Sequence, residues 1–168
     1  VKKAKIWVWS GDPIGAAMVK GLGANGTPLG LPDVLNSLQT GLIDTVYCPG
    51  LGCLALQWYT KTKYRTDINL SHSMGAMLIR TKTLQSLSSA HQQIVKKLGR
   101  QYMGQLTRQT RAENDQALQA MQSAGIQTVS VTPENLLPLK QASEKIQVEL
   151  GGGTLYPTAL LNKVKAAR

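Results

Sequence analysis

Apolar positions along the first fifty residues come in short blocks that predict strands and helices in alternation. Residues 6–9, with the sequence Ile-Trp-Val-Trp, are apolar on both faces, which is typical of a buried parallel strand. Asp12 and Pro13 then supply a helix N-cap and a first-turn proline, and Gly23 ends this helix. The pattern continues with an extended piece at 27–29, a second helix from Pro32 to Gly41 and a strand at 43–47.

The pattern beyond Pro49 predicts several short elements and one long helix. Ser88 and Ser89 cap the long helix, which spans about 89–124 because its apolar residues keep helical spacing and Gly125 ends it. The shorter elements are helices at 54–60 and 82–87, strands at 76–79 and 126–131, a helix from Thr132 to the glycines at 151–153, and a last helix at 157–167. Strands and helices joined by such short links predict an α/β lobe with a mostly parallel sheet flanked by helices.

The composition fits this picture and limits the class of protein. A chain of 168 residues with 42% hydrophobic residues is long enough for one domain or a large lobe. No apolar run approaches the roughly 18–20 residues that a membrane helix needs. The chain begins at Val1, and its first apolar stretch stops at Ser10, before the roughly 7–15 residues of a signal core are reached. We therefore expect any signal segment to lie upstream of Val1 and to be absent from this chain.

Basic residues outnumber acidic ones, 19 against 9, and the excess is concentrated in residues 61–111. This segment holds ten lysines and arginines against Asp67 alone. Such a concentration of positive charge attracts nucleic acid, an anionic membrane surface or an acidic ligand. The alternative explanation is a solvated helix face rich in lysine and arginine, which has the same composition. A basic nucleic-acid-binding α/β domain is thus the alternative function, although no recognition-helix or aromatic RNA-binding pattern accompanies the charge.

Two further patterns could carry chemistry, and each has a simpler structural explanation. Residues 21–26 match the dinucleotide fingerprint by letter, but they follow a helix rather than a strand, so a glycine-rich helix stop is expected. Cys48 and Cys53 lack the number and spacing of ligands that a zinc site needs. Buried free thiols are the commoner outcome, while a disulfide in an oxidising compartment and a Cys–His nucleophile both stay open.

The remaining polar and aromatic residues favour binding over catalysis. Asp12 and Asp33 stand at helix starts and Asp44 beside a strand, so no carboxylate pair is spaced for acid–base work. We expect neither an enzyme nor a metal or cofactor site. Trp7 and Trp9 share one face of their strand, where they either pack in the core or line a cleft together.

One stretch resembles a known family. Residues 31–44, LPDVLNSLQTGLID, are similar to the E-V-x-x-A-L-Q-T-G-x-x-D-G-x-E-N-P stretch of the DctP-like solute receptors of TRAP (tripartite ATP-independent periplasmic) transporters. The flanks agree, since residues 5–8 stand at the family's K-x-R-V strand and residues 22–28 resemble its L-G-A-x-P-x-P turn. The resemblance runs from about Lys3 to Leu150 and includes a helix start after 84 and an A-G-V-like turn at 124–126.

The resemblance implies a periplasmic binding protein with two α/β lobes, whose cleft closes on a small organic acid and passes it to a membrane permease. Receptors of this family are about twice as long, so we expect this chain to be the C-terminal half. Residues 1–60 and 125–168 would form mainly the second lobe, and 61–124 the crossover strand and long helix shared with the first. A lobe without its neighbour exposes apolar surface, so a homodimer is also expected, and nucleic acid is not expected as a partner.

Two departures from the family's pattern change the expected ligand. Trp7 replaces the arginine that grips a substrate carboxylate, and Cys48, preceded by Tyr47, replaces the asparagine of E-N-P. An indole and a thiol make the cleft wall more apolar, so we expect a ligand less polar than a dicarboxylate, or a carboxylate held from elsewhere. The residues at the family's cleft-lining positions are Trp7, Leu31, Tyr47, Cys48 and Ser73, and Trp9 joins them on strand geometry alone.

Overall fold

The computed structural model describes residues 3–71, 74–151 and 155–167, and it confirms the α/β fold class. The strands are β1 (Lys5–Trp9), β2 (Asn25–Leu29), β3 (Tyr64–Thr66) and β4 (Gln127–Val129). The helices are α1 (Pro13–Gly21), α2 (Val34–Thr40), α3 (Gly50–Ala55), α4 (Thr81–Gln85), α5 (Ser89–Ser123), α6 (Pro133–Leu150) and α7 (Thr158–Ala166). Short 3₁₀ turns lie at Leu31–Asp33 and Trp58–Lys61.

Both strand pairs are parallel, as predicted. β1 pairs with β2 in a register that places Trp9 opposite Leu29, and β3 pairs with β4. The strand predicted at 43–47 is wrong, because the pairing in this segment is a single parallel bridge between Ile6 and Thr45. The reason is local: the Asp44 carboxylate accepts the Lys5 backbone N–H at 2.9 Å, so a side chain occupies a donor that a longer ladder would use.

Helix α1 begins and ends where its capping residues predict. Asp12 Oδ1 accepts hydrogen bonds from the Ile14 and Gly15 backbone N–H groups at 3.1 and 2.9 Å, with Pro13 in the first turn. After the helix, Gly23 adopts a φ of +69°, a left-handed conformation that glycine favours. The glycine-rich run 21–26 is therefore a helix stop leading into β2, as predicted.

Three predicted elements are corrected. The helix predicted at 54–60 begins earlier, at Gly50, and ends before Gln57, whose φ of 59° interrupts the backbone before the 3₁₀ turn. The strand predicted at 76–79 is wrong, because these residues are exposed and pair with no strand of the described chain. The strand predicted at 126–131 is shorter, since only Gln127–Val129 find a partner, in β3.

Strand β1 separates two hydrophobic clusters. Trp7 points into one cluster with Val34, Leu38, Ile43 and Trp58. Ile6 and Val8, the neighbours of Trp7 in sequence, point to the opposite face. There they form a second cluster with Val19 of α1 and with Ala24, which follows that helix. The alternation expected of a strand buried on both faces is thus confirmed.

The long helix α5, predicted at about 89–124, is confirmed as Ser89–Ser123, and its C-terminal part packs on helix α3. There Leu118 lies against Gly50, and Asn114 Oδ1 accepts the Leu51 backbone N–H at 3.1 Å. Nearer its N-terminus the helix carries four exposed apolar residues spaced by four, here called the α5 stripe: Ile94, Leu98, Tyr102 and Leu106. Across the residues described, every helix is too short or too polar to span a membrane.

Candidate functional site

Three backbone segments end at one edge of the β1–β2 pair, and five side chains from them form what we call the carboxyl edge. The parallel register brings Trp9 and Leu29 to the same end. The chain segment bridged at Thr45 runs in the same direction and reaches this end two residues later. In open parallel sheets, ligands bind outside the carboxyl ends of the strands. The carboxyl edge consists of Trp9, Asp12, Leu31, Tyr47 and Cys48.

The Tyr47 phenol connects these segments through hydrogen bonds. Its hydroxyl donates to Asp12 Oδ2 at 3.0 Å and accepts the Trp9 backbone N–H at 3.4 Å. Burial raises the pKa of Tyr47, and the adjacent Asp12 carboxylate raises it further, against the lowering effect of the Trp9 N–H. The phenol is therefore neutral at physiological pH and holds the end of β1, the start of α1 and the 45–48 segment together.

Trp7 lies beneath this network rather than at its surface. Its side chain is only 4% exposed, and its ring stacks on Tyr47 with centroids 5.3 Å apart. Trp58 meets the same ring edge-on at 5.1 Å, and Trp7 Nε1 donates to the Leu29 carbonyl at 3.1 Å. The ligand contact predicted for Trp7 stays a prediction; the geometry gives the residue a supporting position under Tyr47.

Two of the predicted site residues, Trp9 and Leu31, form the exposed apolar part of the carboxyl edge. Trp9 is 51% exposed at the end of β1, and Leu31 is 42% exposed in the 3₁₀ turn after β2. Cys48 follows Tyr47 and is half-buried, while Ser73 lies outside the described residues. The edge therefore offers an indole, a leucine side chain and a partly buried tyrosine to a flat or apolar part of a ligand.

The polar chemistry of the edge is set by Asp12, which the sequence identified only as a helix cap. Its two carboxylate oxygens are engaged by the first turn of α1 and by Tyr47. None of the five edge side chains carries a positive charge, so a ligand carboxylate finds no ion-pair partner among them. An acidic N-cap directly after a strand could have been recognised as an edge residue, because parallel strands end where ligands bind.

The edge is an open wall, and two concave regions of the described surface lie elsewhere. One, of about 280 Å³, runs between Met77 and the part of α5 near Tyr102. The other, of about 1030 Å³, lies between residues 67–70 and helix α6. Neither region is lined by a residue of the carboxyl edge, and the described residues contain no group of three or more His, Cys, Asp or Glu side chains placed to hold a metal ion.

A substitution at Gly15 tests whether α1 packs closely on Tyr47. A Cβ at this position would overlap the Tyr47 hydroxyl and the Asp12 carboxylate. We expect Gly15→Ala to lower the free energy of unfolding by about 1–2 kcal/mol, because the lost hydrogen bonds to a charged group outweigh the gain in helix propensity. Urea unfolding measures this change.

Gly99→Ala is the matched control, since a Cβ at this position in α5 meets nothing within 4 Å. We expect this variant to be more stable than the unmodified chain by about 0.5–1 kcal/mol. Equal unfolding free energies for the two variants would contradict the close packing of Tyr47 on α1.

Solved structures with the same fold are solute receptors about twice as long. A TRAP periplasmic solute binding protein from Xanthobacter autotrophicus Py2 with bound β-D-galacturonate superposes with a TM-score of 0.84 at 23% identity, over 99% of this chain and 54% of that one. The periplasmic ectoine-binding protein of a TRAP transporter from Halomonas elongata gives 0.84 at 22%, over 97% and 53%. A Bordetella pertussis extracytoplasmic solute receptor that binds pyroglutamic acid gives 0.75 at 16%, over 90% and 50%.

The chain thus spans about half the length of these structural relatives, which establish its fold. No curated protein sequence matches the chain significantly. A protein-family profile matches residues 9–150. This confirms the resemblance seen in the LQTG-containing stretch, and the chain belongs to the bacterial extracellular solute-binding proteins of family 7, the DctP family.

Proposed function

We propose that this chain is the C-terminal half of an extracytoplasmic solute-binding receptor, which binds a small metabolite in a cleft and delivers it to a TRAP-type membrane permease. The observation that carries the proposal is the carboxyl edge. In a fold shared with solute receptors, it gathers exposed apolar side chains and a fixed phenol where parallel strands end. Family membership supports a binding role rather than catalysis, and it supports a periplasmic location.

The second wall of the cleft belongs, in this proposal, to a lobe that the longer relatives possess. The α5 stripe supports this arrangement, because four apolar residues on one helix face are 41–57% exposed in this chain. Residues 1–60 and 125–168 then form mainly one lobe, and 61–124 contribute to both. The homodimer expected from the sequence, which rests on the missing lobe, would bury the stripe as well if two copies paired through it.

The ligand that fits this wall is less polar than a dicarboxylate. The position at which the family carries an arginine holds Trp7, which is buried, and the edge itself carries no cation. The relatives bind galacturonate, ectoine and pyroglutamic acid, each a ring compound with one carboxylate. An exposed indole suits such a ring face, and a single carboxylate would be held by groups outside the carboxyl edge.

Calorimetric titration of the complete receptor tests this proposal. The probes are ectoine, pyroglutamate, D-galacturonate and D-glucuronate, with the linear dicarboxylate succinate for comparison. We expect saturable binding of at least one ring monocarboxylate, with an affinity at least tenfold above that of succinate. Tighter binding of succinate would contradict the predicted ligand class, and no binding of any probe or of a broad solute library would contradict the function.

Nucleic-acid binding, the alternative suggested by the charge of residues 61–111, receives no support from the family or from the structural relatives. The basic residues of α5 are exposed and solvated. They lie on a helix that the solute-receptor fold contains, so the charge needs no separate function.

A further inference from the structure

Cys48 and Cys53 occupy two positions that helix geometry brings together. Helix α3 begins at Gly50 with Pro49 as its N-cap, so Cys48 directly precedes the cap and Cys53 is the fourth residue of the helix. Side chains at these two positions pack against each other across a helix start. The Cys53 backbone N–H donates to the Pro49 carbonyl at 3.0 Å, which fixes the turn between the two cysteines.

The two thiols share one environment beside the core. Both are half-buried free thiols that pack on the core cluster around Trp7 and Trp58. Interaction between the two thiols lowers the pKa of Cys53 and raises the pKa of Cys48. Burial opposes the lowering at Cys53, and the Tyr59 backbone N–H supports it.

We propose that Cys48 and Cys53 form a disulfide bond when the receptor is in an oxidising compartment, and that this bond fastens the candidate ligand wall to helix α3. The compartment in this proposal rests on the proposed function, whereas the pairing itself rests on the geometry of the helix start. The helix start holds the two cysteines near each other, which is the first requirement for such a bond and one that cysteines held far apart cannot meet.

The reaction is thiol–disulfide exchange with a dithiol oxidase or with oxidised glutathione. The Cys53 thiolate attacks one sulfur of the oxidant's disulfide and forms a mixed disulfide, and the oxidant's other sulfur leaves as a thiolate. The Cys48 thiolate then attacks Cys53 and displaces the second sulfur of the oxidant. Two protein thiols lose two electrons in total, the oxidant's disulfide gains them, and the two thiol protons pass through water to the oxidant's thiolates.

The bond would act on the site through the residue next to it. Tyr47 precedes Cys48 and holds Asp12 and the end of β1, so restraining Cys48 restrains the phenol. The disulfide closes a loop of only six residues and lowers the conformational entropy of the unfolded chain. For a protein of this size, we expect the midpoint of thermal unfolding to be roughly 5 °C higher in the oxidised form.

Peptide mapping of the complete receptor tests the bond. Trypsin cuts after Lys20 and Lys61 and releases one peptide, 21–61, which contains both cysteines of this chain and no internal lysine or arginine. After equilibration with oxidised glutathione, we expect this peptide to be two hydrogen masses lighter and to take no N-ethylmaleimide. After reduction it should take two labels, and the unfolding midpoint should fall.

Cys48→Ser and Cys53→Ser are the matched variants, each of which should unfold at the same temperature with and without reductant. Two labels on the oxidised peptide, or a bond from it to another molecule, would overturn the proposal. The same holds if reduction leaves the unfolding midpoint of the unmodified receptor unchanged. Because these readouts need no solute, a receptor that forms the bond but binds no probe would refute the proposed function alone.

Discussion

Replacing Trp58 with alanine is expected to lower the free energy of unfolding by about 4 kcal/mol, the largest loss from any single substitution considered. The Trp58 side chain is 1% exposed and meets the Trp7 ring edge-on within the cluster that also contains Val34 and Ile43. Alanine would leave a cavity that these rigid neighbours cannot fill by moving. Denaturation in urea, followed by circular dichroism, measures the loss.

Trp9→Ala is the control for this variant, because it removes the same side chain from an exposed position. Trp9 is 51% exposed, so its removal should cost no more than about 1 kcal/mol. If both variants lose the same stability, the assignment of Trp58 to the core and of Trp9 to the surface is wrong.

Replacing Tyr47 with alanine is expected to weaken solute binding about 30-fold or more, equivalent to about 2 kcal/mol. The ring lies at the centre of the carboxyl edge, and its hydroxyl holds Asp12 and the backbone of Trp9 in place. Its removal deletes part of the wall and releases the two segments that it joins. Calorimetric titration with the tightest of the ring monocarboxylates named above measures the loss.

Three further variants separate the contributions. Tyr47→Phe keeps the ring on Trp7 and loses only the hydroxyl, so we expect a smaller loss of about fivefold. Trp9→Ala should weaken binding by about tenfold while the protein stays folded. Tyr64→Ala, which removes an exposed aromatic ring from the other sheet, should leave the affinity unchanged. Unchanged affinity in both Tyr47→Ala and Trp9→Ala would mean that the site is elsewhere.

Local signals in the sequence predicted most helix boundaries correctly. Asp12 and Ser88 were recognised as caps and Thr132 as a helix start, and each accepts a backbone N–H in the first turn of its helix. Gly23 and Gly41 were recognised as helix stops, and both adopt a positive φ. These boundaries depend on interactions between residues a few positions apart, which a single sequence contains.

Elements that depend on distant partners were predicted less well. The segment 76–79 has the apolar composition of a strand but lacks a strand beside it in the described chain, so its residues are exposed. The segment 43–47 has a partner, but the Asp44 carboxylate takes a backbone donor that a longer ladder would use. Neither outcome follows from hydrophobic periodicity, because pairing depends on backbone groups elsewhere in the chain, such as the Lys5 N–H, 39 positions from Asp44.

In the candidate site, too, some features could be predicted from the sequence, while others depend on residues distant in sequence. The family resemblance pointed to Leu31, Tyr47 and Cys48, and strand geometry added Trp9. The fold gathers all four at one edge, and their contact with a ligand stays a prediction. The sequence did not separate the exposed Trp9 from the buried Trp7, because both lie on one strand face. That difference arises from Trp58 and Tyr47, which are 51 and 40 positions from Trp7 and cover its ring.

The most direct test of the proposed function is a crystal structure of the complete receptor with its tightest-binding solute. We predict that the solute lies between two lobes, with non-hydrogen atoms within about 4 Å of Trp9, Leu31 or Tyr47. A solute seated against helix α6 and residues 67–70, with no atom in contact with the carboxyl edge, would contradict the assignment of this edge as the ligand wall.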